Sequence, residues 1–433
     1  MSLLKVLGFD PAKHDVKTEV VAGITTFLTM AYILAVNPDI FGALEGMGMP
    51  KDAVFAATAF SAIVGTLVMS LYAKKPYALA PGLGLNAFFV YTVCLTMGYT
   101  WQFALTAVLI EGIIFVILTV TNVREAIINA IPKAMKSAVS AGIGLFIAFI
   151  GMVNAGIIVD DGGTIIALGD ITGGTALLAI VGLVITSVMM ILKVPGAMLI
   201  GIIVTAIIGI PFGITHFDGV VRGVPSIAPI FCKFEFHNIL SWDMVIVVFT
   251  FLFIDMFDTI GTVIGVSKKA NAMNSDGTIP GVKKVLMADA VATVAGACFG
   301  TSTTTTYVES ASGVAEGGRT GLTSFTTAIC FAIALFFAPL FIGIPSAATA
   351  PALIIVGVMM MSSILDVDFN DFSESIPAYI CMIVMPLAYS ISDGIMLGMI
   401  SFVVLNALTG KFKKISVMMW ILAILFILRY ILL

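Results

Sequence analysis

Two stretches of this sequence decide its fold. Residues 300–318 read GTSTTTTYVESASGVAEGG, and residues 77–91 read YALAPGLGLNAFFVY. Four consecutive threonines at 303–306 favour a strand, and the APGLG sequence of residues 80–84 disfavours one continuous helix. Both stretches lie among long apolar runs. We therefore expect two short extended segments, each followed by a half-helix, inside a largely helical protein.

The composition excludes most soluble classes of protein. The chain has 433 residues, of which 60% are hydrophobic and 11% charged, and its mean hydropathy is +1.14. Ordinary soluble domains carry about 25% charged residues. A nucleic-acid binder would need a basic face, and a β-barrel would alternate instead of forming continuous apolar runs. The sequence predicts an all-α polytopic membrane protein in a lipid bilayer, with no nucleic-acid partner.

Turn-like breaks divide the apolar runs into about fourteen transmembrane helices, since one span needs about 20 mostly apolar residues. Residues 415–433 form a further apolar tail, which is either an extra span or an interfacial helix. The predicted spans are 20–37, 53–73, 78–96, 102–121, 134–153, 174–192, 195–212, 243–266, 285–299, 301–317, 321–343, 346–364, 376–391 and 393–410.

The basic residues predict the orientation. With residues 1–19 in the cytoplasm and alternating spans, the inner segments hold all of the 21 lysines and arginines except Lys51, Arg222, Lys233 and Arg429. Basic residues concentrate on the cytoplasmic side of membrane proteins, so we predict a multi-pass cell-membrane protein with a cytoplasmic N-terminus. One inner loop, DVDFNDFSES, departs from this rule because it is purely acidic.

The chain also repeats itself. Residues 57–65 read ATAFSAIVG and residues 288–296 read ADAVATVAG, while IPKAMKSA (131–138) has a partner in IPSAATAP (344–351). Each second copy lies seven spans after the first and therefore runs through the membrane in the opposite direction. This is a 7+7 inverted repeat, which is a feature of secondary transporters with a substrate site near the midplane.

The interrupted spans 3 and 10 are partners in this repeat. We predict that their extended segments pair across the repeat axis, since backbone polar groups at membrane depth need partners. The half-helices would begin near 85–86 and near 308–309 and point free N–H groups towards the midplane. Elsewhere, residues 154–173 carry β-branched runs around Asp-Gly-Gly, which predict a hairpin.

Span 8 carries two acids, Asp255 and Asp258, which share one face of its helix because they are three residues apart. Repulsion and desolvation disfavour the ionisation of both, so one of them is a candidate proton carrier. Glu309 in span 10 is a third buried acid.

The five cysteines show no disulfide or metal spacing and are interpreted as small buried apolar residues. Because no enzyme motif or metal-binding pattern is present, we predict neither catalytic residues nor a metal site.

Four segments resemble a known family, the AzgA-like hypoxanthine/guanine/adenine permeases, which are nucleobase–cation symporters with the uracil-permease (UraA-like) fold. The segments are GITTFLTMAYILAVNP (23–38), APGLGLNAFF (80–89), FIDMFDTIGT (253–262) and TSTTTTYVESASGVAEGGRTGL (301–322). The resemblance implies import of purine nucleobases by proton symport. A proton gradient would drive this transport, and no cofactor is expected. It also implies a core domain at 20–121 and 243–343 and a gate domain at 122–242 and 344–433.

The resemblance also implies the site residues. Asn86 matches the family's span 3 asparagine, Asp255 and Asp258 match its paired span 8 acids, and Glu309 matches its span 10 glutamate. We prefer Asp255 and Glu309 as purine ligands and Asp258 as the coupling acid. Further candidates are Thr306 for binding, Phe27 or Phe257 for stacking on the base, and Gly84 and Gly261 for close helix packing at the site.

Several alternatives remain at this stage. An anion transporter of the sulfate-permease type shares the fold, although three acids at the midplane argue against an anionic substrate. A channel and a membrane enzyme are the other rivals. The sequence leaves open which purine is preferred, whether protons or sodium ions are coupled, and whether two chains form a homodimer.

Overall fold

The computed structural model describes residues 3–121, 131–237, 239–270, 272 and 279–432. Within these ranges the protein is mostly helical, with two small two-stranded sheets. Eight continuous helical segments of the described chain are long and apolar enough to cross a membrane, and four shorter apolar helices accompany them. The predicted count of fourteen spans stays a prediction.

The strands are β1 (Leu79–Pro81), β2 (Ile158–Asp161), β3 (Ile165–Leu168) and β4 (Thr304–Thr306). The helices are α1 (Leu3–Val6), α2 (Val16–Met30), α3 (Ile33–Phe41), α4 (Lys51–Val68), α5 (Leu83–Ala87), α6 (Trp101–Thr121), α7 (Lys133–Asn154), α8 (Gly174–Ile191), α9 (Ala197–Gly209), α10 (Trp242–Lys269), α11 (Val282–Phe299), α12 (Ser310–Ala315), α13 (Gly321–Ala334), α14 (Ala338–Ile342), α15 (Ser346–Met361), α16 (Phe372–Leu387), α17 (Ile391–Leu408) and α18 (Val417–Leu432). Short 3-10 or π-helical turns extend several of them.

Strands β1 and β4 pair antiparallel, as the two interrupted segments predict, with Ala80 opposite Thr305. Both strands are buried, so the outer edges of this pair need partners within the protein. Thr66 on α4 bonds both the N–H and the C=O of Leu79, at 3.0 and 3.1 Å. On the other edge, Asp289 accepts from the N–H of Thr306 at 3.0 Å. Helices α5 and α12 begin within two residues of the predicted starts.

The first pair of repeated motifs forms the close crossing of α4 and α11 beside these strands. Gly65 and Gly296 occupy equivalent last positions of the two motifs. A Cβ on Gly65 would lie 2.8 Å from the Cβ of Ala292, and one on Gly296 would lie 2.5 Å from the Oγ1 of Thr304. The small residues of the repeat therefore let two helices approach the strand pair closely.

The second pair of motifs begins α7 and α15, which start directly after Pro132 and Pro345. These two helices cross at another pair of glycines. A Cβ on Gly144 would lie 2.7 Å from the backbone oxygen of Gly357, and one on Gly357 would lie 2.5 Å from that of Gly144. Helices α16 and α17 pack beside them. The repeat is therefore visible in the packing as well as in the sequence.

The connecting segments explain two further sequence features. The hairpin predicted within 154–173 is present, because β2 and β3 pair antiparallel. The acidic loop that departs from the charge rule lies beside lysines of other predicted inner segments. Asp366 accepts from Lys133 at 2.7 Å, and Asp371 accepts from Lys414 at 2.7 Å. Hydrogen bonds from Lys414 and from neighbouring Ser373 hold the pKa of the Asp371 carboxyl well below its usual range.

The apolar tail forms α18, which runs back along α17. The Tyr430 hydroxyl donates to Asp393 in the first turn of α17 at 2.7 Å, and the ring of Phe426 packs edge-on against Phe249 at 5.7 Å between centroids. The tail is therefore packed on the helical bundle, with α17 and α10 as its neighbours.

Candidate functional site

A cavity lies where β1, β4 and their following helices face α7 and α15. The empty space between its lining residues is about 680 Å³, including its open mouth. Tyr32 and the α10 residues Ile254, Asp258 and Thr262 complete its wall. The remaining lining residues are Gly82, Leu83, Gly84, Leu85, Val139, Ser140, Ile143, Thr306, Tyr307, Val308, Glu309, Val356 and Met360.

Glu309 lines this cavity from the N-cap position of α12. The Tyr32 hydroxyl donates to its carboxylate oxygen Oε1 at 2.7 Å and so fixes the side chain against α3. The half-buried carboxylate of Glu309 is thereby held at the cavity wall. A buried carboxylate that accepts an N–H bond makes one of the stronger hydrogen bonds in proteins.

The two acids of α10 occupy different environments. Asp258 lines the cavity. Asp255 is completely buried behind it, one turn earlier, where the Thr259 hydroxyl lies 3.0 Å from its Oδ1. This placement differs from the preference for Asp255 as a direct purine ligand. The reason is the packing of this helix face against β4, where Thr259 contacts Thr305 at 2.7 Å.

Asp289 on α11 completes a buried polar cluster under β4. It accepts from the N–H of Thr306 at 3.0 Å and lies 3.0 Å from the Thr259 hydroxyl. Thr259 therefore contacts the carboxyl groups of both Asp255 and Asp289, although its hydroxyl carries a single hydrogen. The cluster ties α10 and α11 to β4 next to the cavity wall.

Two predicted ligands lie away from the cavity. Asn86 is fully buried, and its Oδ1 accepts a hydrogen bond from the Ser302 hydroxyl, so it ties α5 to the segment before β4. Phe27 packs edge-on against Phe331 at 5.1 Å and lines a separate apolar cleft between α2, α9 and α13. The position of α2 turns Phe27 to this cleft, which a helical pattern alone could not predict.

The other predicted site residues divide into two groups. Thr306 and Gly84 line the cavity, and a Cβ on Gly84 would lie 2.7 Å from the Cγ2 of Ile143 on α7. The predicted close packing at Gly84 is therefore present. Phe257 and Gly261 belong to α10, but their side-chain environment lies outside the described part of the structure.

Sequence reasoning missed two tyrosines of the site. Tyr32 holds Glu309, and Tyr307 lines the cavity while its hydroxyl donates to the backbone oxygen of Pro81 at 2.5 Å. Both residues stood inside the segments that carry the family resemblance. The hydroxyl of a tyrosine in an apolar span needs a hydrogen-bond partner, and this is the sequence signal that points to both residues. In the described ranges, no group of three or more metal-ligating side chains is close enough to hold a metal ion.

The fold is that of an inverted-repeat membrane transporter. It matches the transmembrane domain of a cyanobacterium bicarbonate transporter, BicA, with a TM-score of 0.65 over 88% of this chain and 97% of that one. The two sequences are 16% identical, so this match concerns the fold alone.

The sequence comparisons give the family. Residues 17–397 match the family model Xan_ur_permease, described as a permease family. The guanine/hypoxanthine permease PbuG of Bacillus subtilis is 44% identical over 98% of both chains. The adenine permease AdeQ of Escherichia coli is 40% identical over 96% of this chain and 93% of its own length. The chain therefore belongs to this permease family and is a multi-pass membrane transporter rather than an enzyme.

Proposed function

We propose that this protein imports purine nucleobases, namely hypoxanthine, guanine or adenine, by proton symport across the cell membrane. The observation that carries the proposal is the meeting of Asp258 and Glu309 at one cavity beside the β1–β4 pair. The relatives named as guanine/hypoxanthine and adenine permeases support the purine class of substrate. The anion substrate of the transporter with the same fold fits this cavity poorly, because two acids face it.

A purine base suits the polar groups that face the cavity. Its ring N–H groups are donors, and the carboxyl groups of Glu309 and Asp258, which line the cavity, are acceptors. Its ring nitrogens and exocyclic oxygen are acceptors, and the first-turn N–H groups of α5, at Gly84 and Leu85, have no partner within their own helix by helix geometry. The flat apolar wall of Ile143 and Val356 offers a surface for the ring faces.

In this proposal Asp258 is the coupling acid and Glu309 the purine ligand, as in the sequence interpretation. Asp255 becomes a positioning residue, which acts through Thr259. Asp258 and Glu309 repel one another while both are ionised, so a proton that enters with the base lowers the electrostatic cost of occupying the site. The neutralised site then moves across the membrane more readily than a charged one.

Transport further requires that the two sets of helices move against each other. We assign spans 1–4 and 8–11 to the core and spans 5–7 and 12–14 to the gate, fourteen spans in total, with spans 3 and 10 interrupted. In the described part of the chain, the core helices make few contacts with the gate helices. The contact between α3 and α15 is polar. Asp39 of α3 accepts from the hydroxyls of Ser346 and Thr349 of α15, both at 2.6 Å. These bonds can exchange with water when the sets separate.

The direct test is uptake of radiolabelled hypoxanthine into proteoliposomes, with and without an inward proton gradient. Valinomycin and potassium hold the membrane potential at zero, and choline replaces sodium in one arm. Unlabelled guanine, adenine, uracil, sulfate and bicarbonate serve as competitors. We expect gradient-driven uptake that purines alone suppress and that does not need sodium.

Each other outcome contradicts a defined part of the proposal. Uptake that needs sodium contradicts proton coupling, and suppression by uracil contradicts the purine class. Uptake that is indifferent to both gradients contradicts symport. Suppression by bicarbonate or sulfate favours the anion alternative.

A further inference from the structure

We propose that Cys232 and Cys298 form a disulfide that fastens the long loop after α9 to the end of α11. The loop carries Cys232 and connects the predicted gate helix α9 to the predicted core helix α10. The proposal does not depend on which solute is transported. It uses the proposed orientation only to place this loop on the oxidising, outer side of the membrane.

The two residues are already in contact. The backbone N–H of Cys232 donates to the backbone oxygen of Cys298 at 2.8 Å. Disulfides join residues whose Cα atoms lie roughly 4.4–6.8 Å apart, and a direct backbone hydrogen bond keeps two residues within such a range. Both cysteines are free thiols in the structure. The backbones of the two residues therefore already lie within the separation that a disulfide bridges.

The surrounding loop holds Cys232 in this place. Ile230, two residues before it, is fully buried, and a Cβ on Gly300 would lie 2.7 Å from its Cγ1 atom. Phe231 packs near the ring of Phe299, with 6.3 Å between centroids. After Cys232, the N–H of Glu235 donates to the Thr106 hydroxyl at 2.8 Å. Contacts on both sides of Cys232 therefore seat this part of the loop on the ends of α6 and α11.

The backbone of Cys232 is unusual as well. Its φ angle is +51°, in the left-handed region that residues with a Cβ rarely adopt. Such a conformation persists where surrounding contacts impose it. Here it occurs at the residue whose backbone N–H bonds the end of α11. The fold therefore holds Cys232 of the loop next to Cys298.

The exposures of the two thiols suggest the order of the reaction. Cys232 is exposed and Cys298 is half-buried. The Cys232 thiolate attacks a small disulfide such as oxidised glutathione, whose S–S bond breaks and releases one glutathione thiolate. The Cys298 thiolate then attacks the Cys232 sulfur and releases the second glutathione. Two protein thiols lose two electrons and two protons, one protein S–S bond forms, and one small disulfide becomes two thiols.

The test counts thiols in the purified full-length protein in detergent. One sample is incubated with oxidised glutathione and one with dithiothreitol, after which both are acid-quenched, freed of reagent, denatured and alkylated with a maleimide. The chain has five cysteines. We expect five alkylated thiols after reduction and three after oxidation, five minus the bonded pair, with a cross-linked peptide that joins Cys232 to Cys298.

Two variants make the assignment specific. Cys232→Ser should give four alkylated thiols in both samples. Cys330→Ser, which removes a half-buried cysteine of another helix, should give four after reduction and two after oxidation. Equal counts in the two wild-type samples, or a cross-link between any other pair, would overturn the proposal. Because no transport is measured, these outcomes are separate from failure of the purine proposal.

A second measurement tests the effect on the fold. A bond between residues 232 and 298 closes a long loop of chain and removes conformations from the unfolded state. The oxidised wild-type protein should therefore unfold at a higher temperature than the reduced one in a thermal-shift assay. The Cys232→Ser protein should show no difference between the two conditions. If the oxidised wild-type protein unfolds at a lower temperature than the reduced one, the disulfide does not stabilise the fold.

Discussion

Each of the two interrupted segments of the repeat forms a short strand followed by a helix, but the side chains of the two segments differ. The first strand reads Leu-Ala-Pro and continues into a glycine-containing helix start, whereas the second reads Thr-Thr-Thr and continues into Glu309. Acids also surround the second copy, since Asp289 bonds Thr306 and Asp258 faces the same cavity. The first copy supplies an amide, Asn86, and that amide is used within the protein.

This difference shows how one duplicated scaffold supports an asymmetric site. The first copy contributes shape, because its small residues allow close approach of the second strand and of α7. The second copy contributes hydrogen-bonding groups and negative charge. Substitutions in the second copy should therefore alter binding or coupling, and substitutions in the first copy should alter packing or rate.

The largest effect is expected for Glu309→Gln, which removes the charge of the second copy's acid. Hydrogen bonds to charged groups contribute roughly 1.5–3 kcal/mol, so hypoxanthine should bind about 10- to 100-fold more weakly. Equilibrium binding of labelled hypoxanthine in detergent measures this change. Glu316→Gln, which changes an exposed glutamate just beyond α12, is the matched control and should bind normally. Normal affinity in Glu309→Gln would remove Glu309 as a ligand.

Asp258→Asn should separate coupling from binding. Asparagine keeps a polar side chain at the cavity but cannot take up and release a proton. We expect uphill accumulation of hypoxanthine under a proton gradient to disappear, while exchange of internal for external hypoxanthine continues. Proteoliposomes measure both, with Asp218→Asn in an exposed loop as control. Retained accumulation would show that another group carries the proton.

Gly84→Ala tests the packing role of the first copy. The added Cβ meets the Cγ2 of Ile143 at 2.7 Å, and such overpacking costs about 1–3 kcal/mol. Because the contact joins the two sets of helices, uptake should slow by about threefold to tenfold while hypoxanthine affinity changes less. Combination with Ile143→Ala, which removes the clashing methyl group, should restore the rate. Absence of rescue would mean that the clash is not the cause.

The smallest effect is expected at the contact between Ser61 of α4 and Thr304 of β4, whose hydroxyls hydrogen-bond each other. Ser61→Ala or Thr304→Val leaves one buried hydroxyl without this partner and should cost about 1 kcal/mol of unfolding free energy. The double variant removes both hydroxyls and should cost less than the sum of the two. A double-mutant cycle of chemical unfolding measures this coupling. Strictly additive losses would argue against a direct bond.

Much of the fold could be predicted from residue patterns. The threonine run and the APGLG segment predicted the strand pair. The ATAFSAIVG and ADAVATVAG motifs predicted an internal repeat, and the structure adds that their two helices pack together. These features are local, because β-branching, proline and small residues act on their own segment of backbone. The hairpin after α7 followed from its turn residues for the same reason.

The site was predictable only in part. Glu309 and Asp258 reach the cavity, while Asp255, Asn86 and Phe27 are used elsewhere in the structure. A spacing of three residues places two acids on one helix face, but that face is wide enough to meet both a cavity and a packed neighbour. The packing of α10 against β4 decides which of its acids faces the cavity.

The sequence by itself determined that this protein is a helical membrane transporter with two interrupted segments, and its motifs determined the family. Those properties depend on apolar content, local backbone preference and short patterns. Only the tertiary structure decided that Tyr32 holds Glu309, that Asp289 caps the edge of β4, and that Cys232 meets Cys298. Each of these contacts joins residues far apart in the chain, so its geometry exists only after the helices have packed.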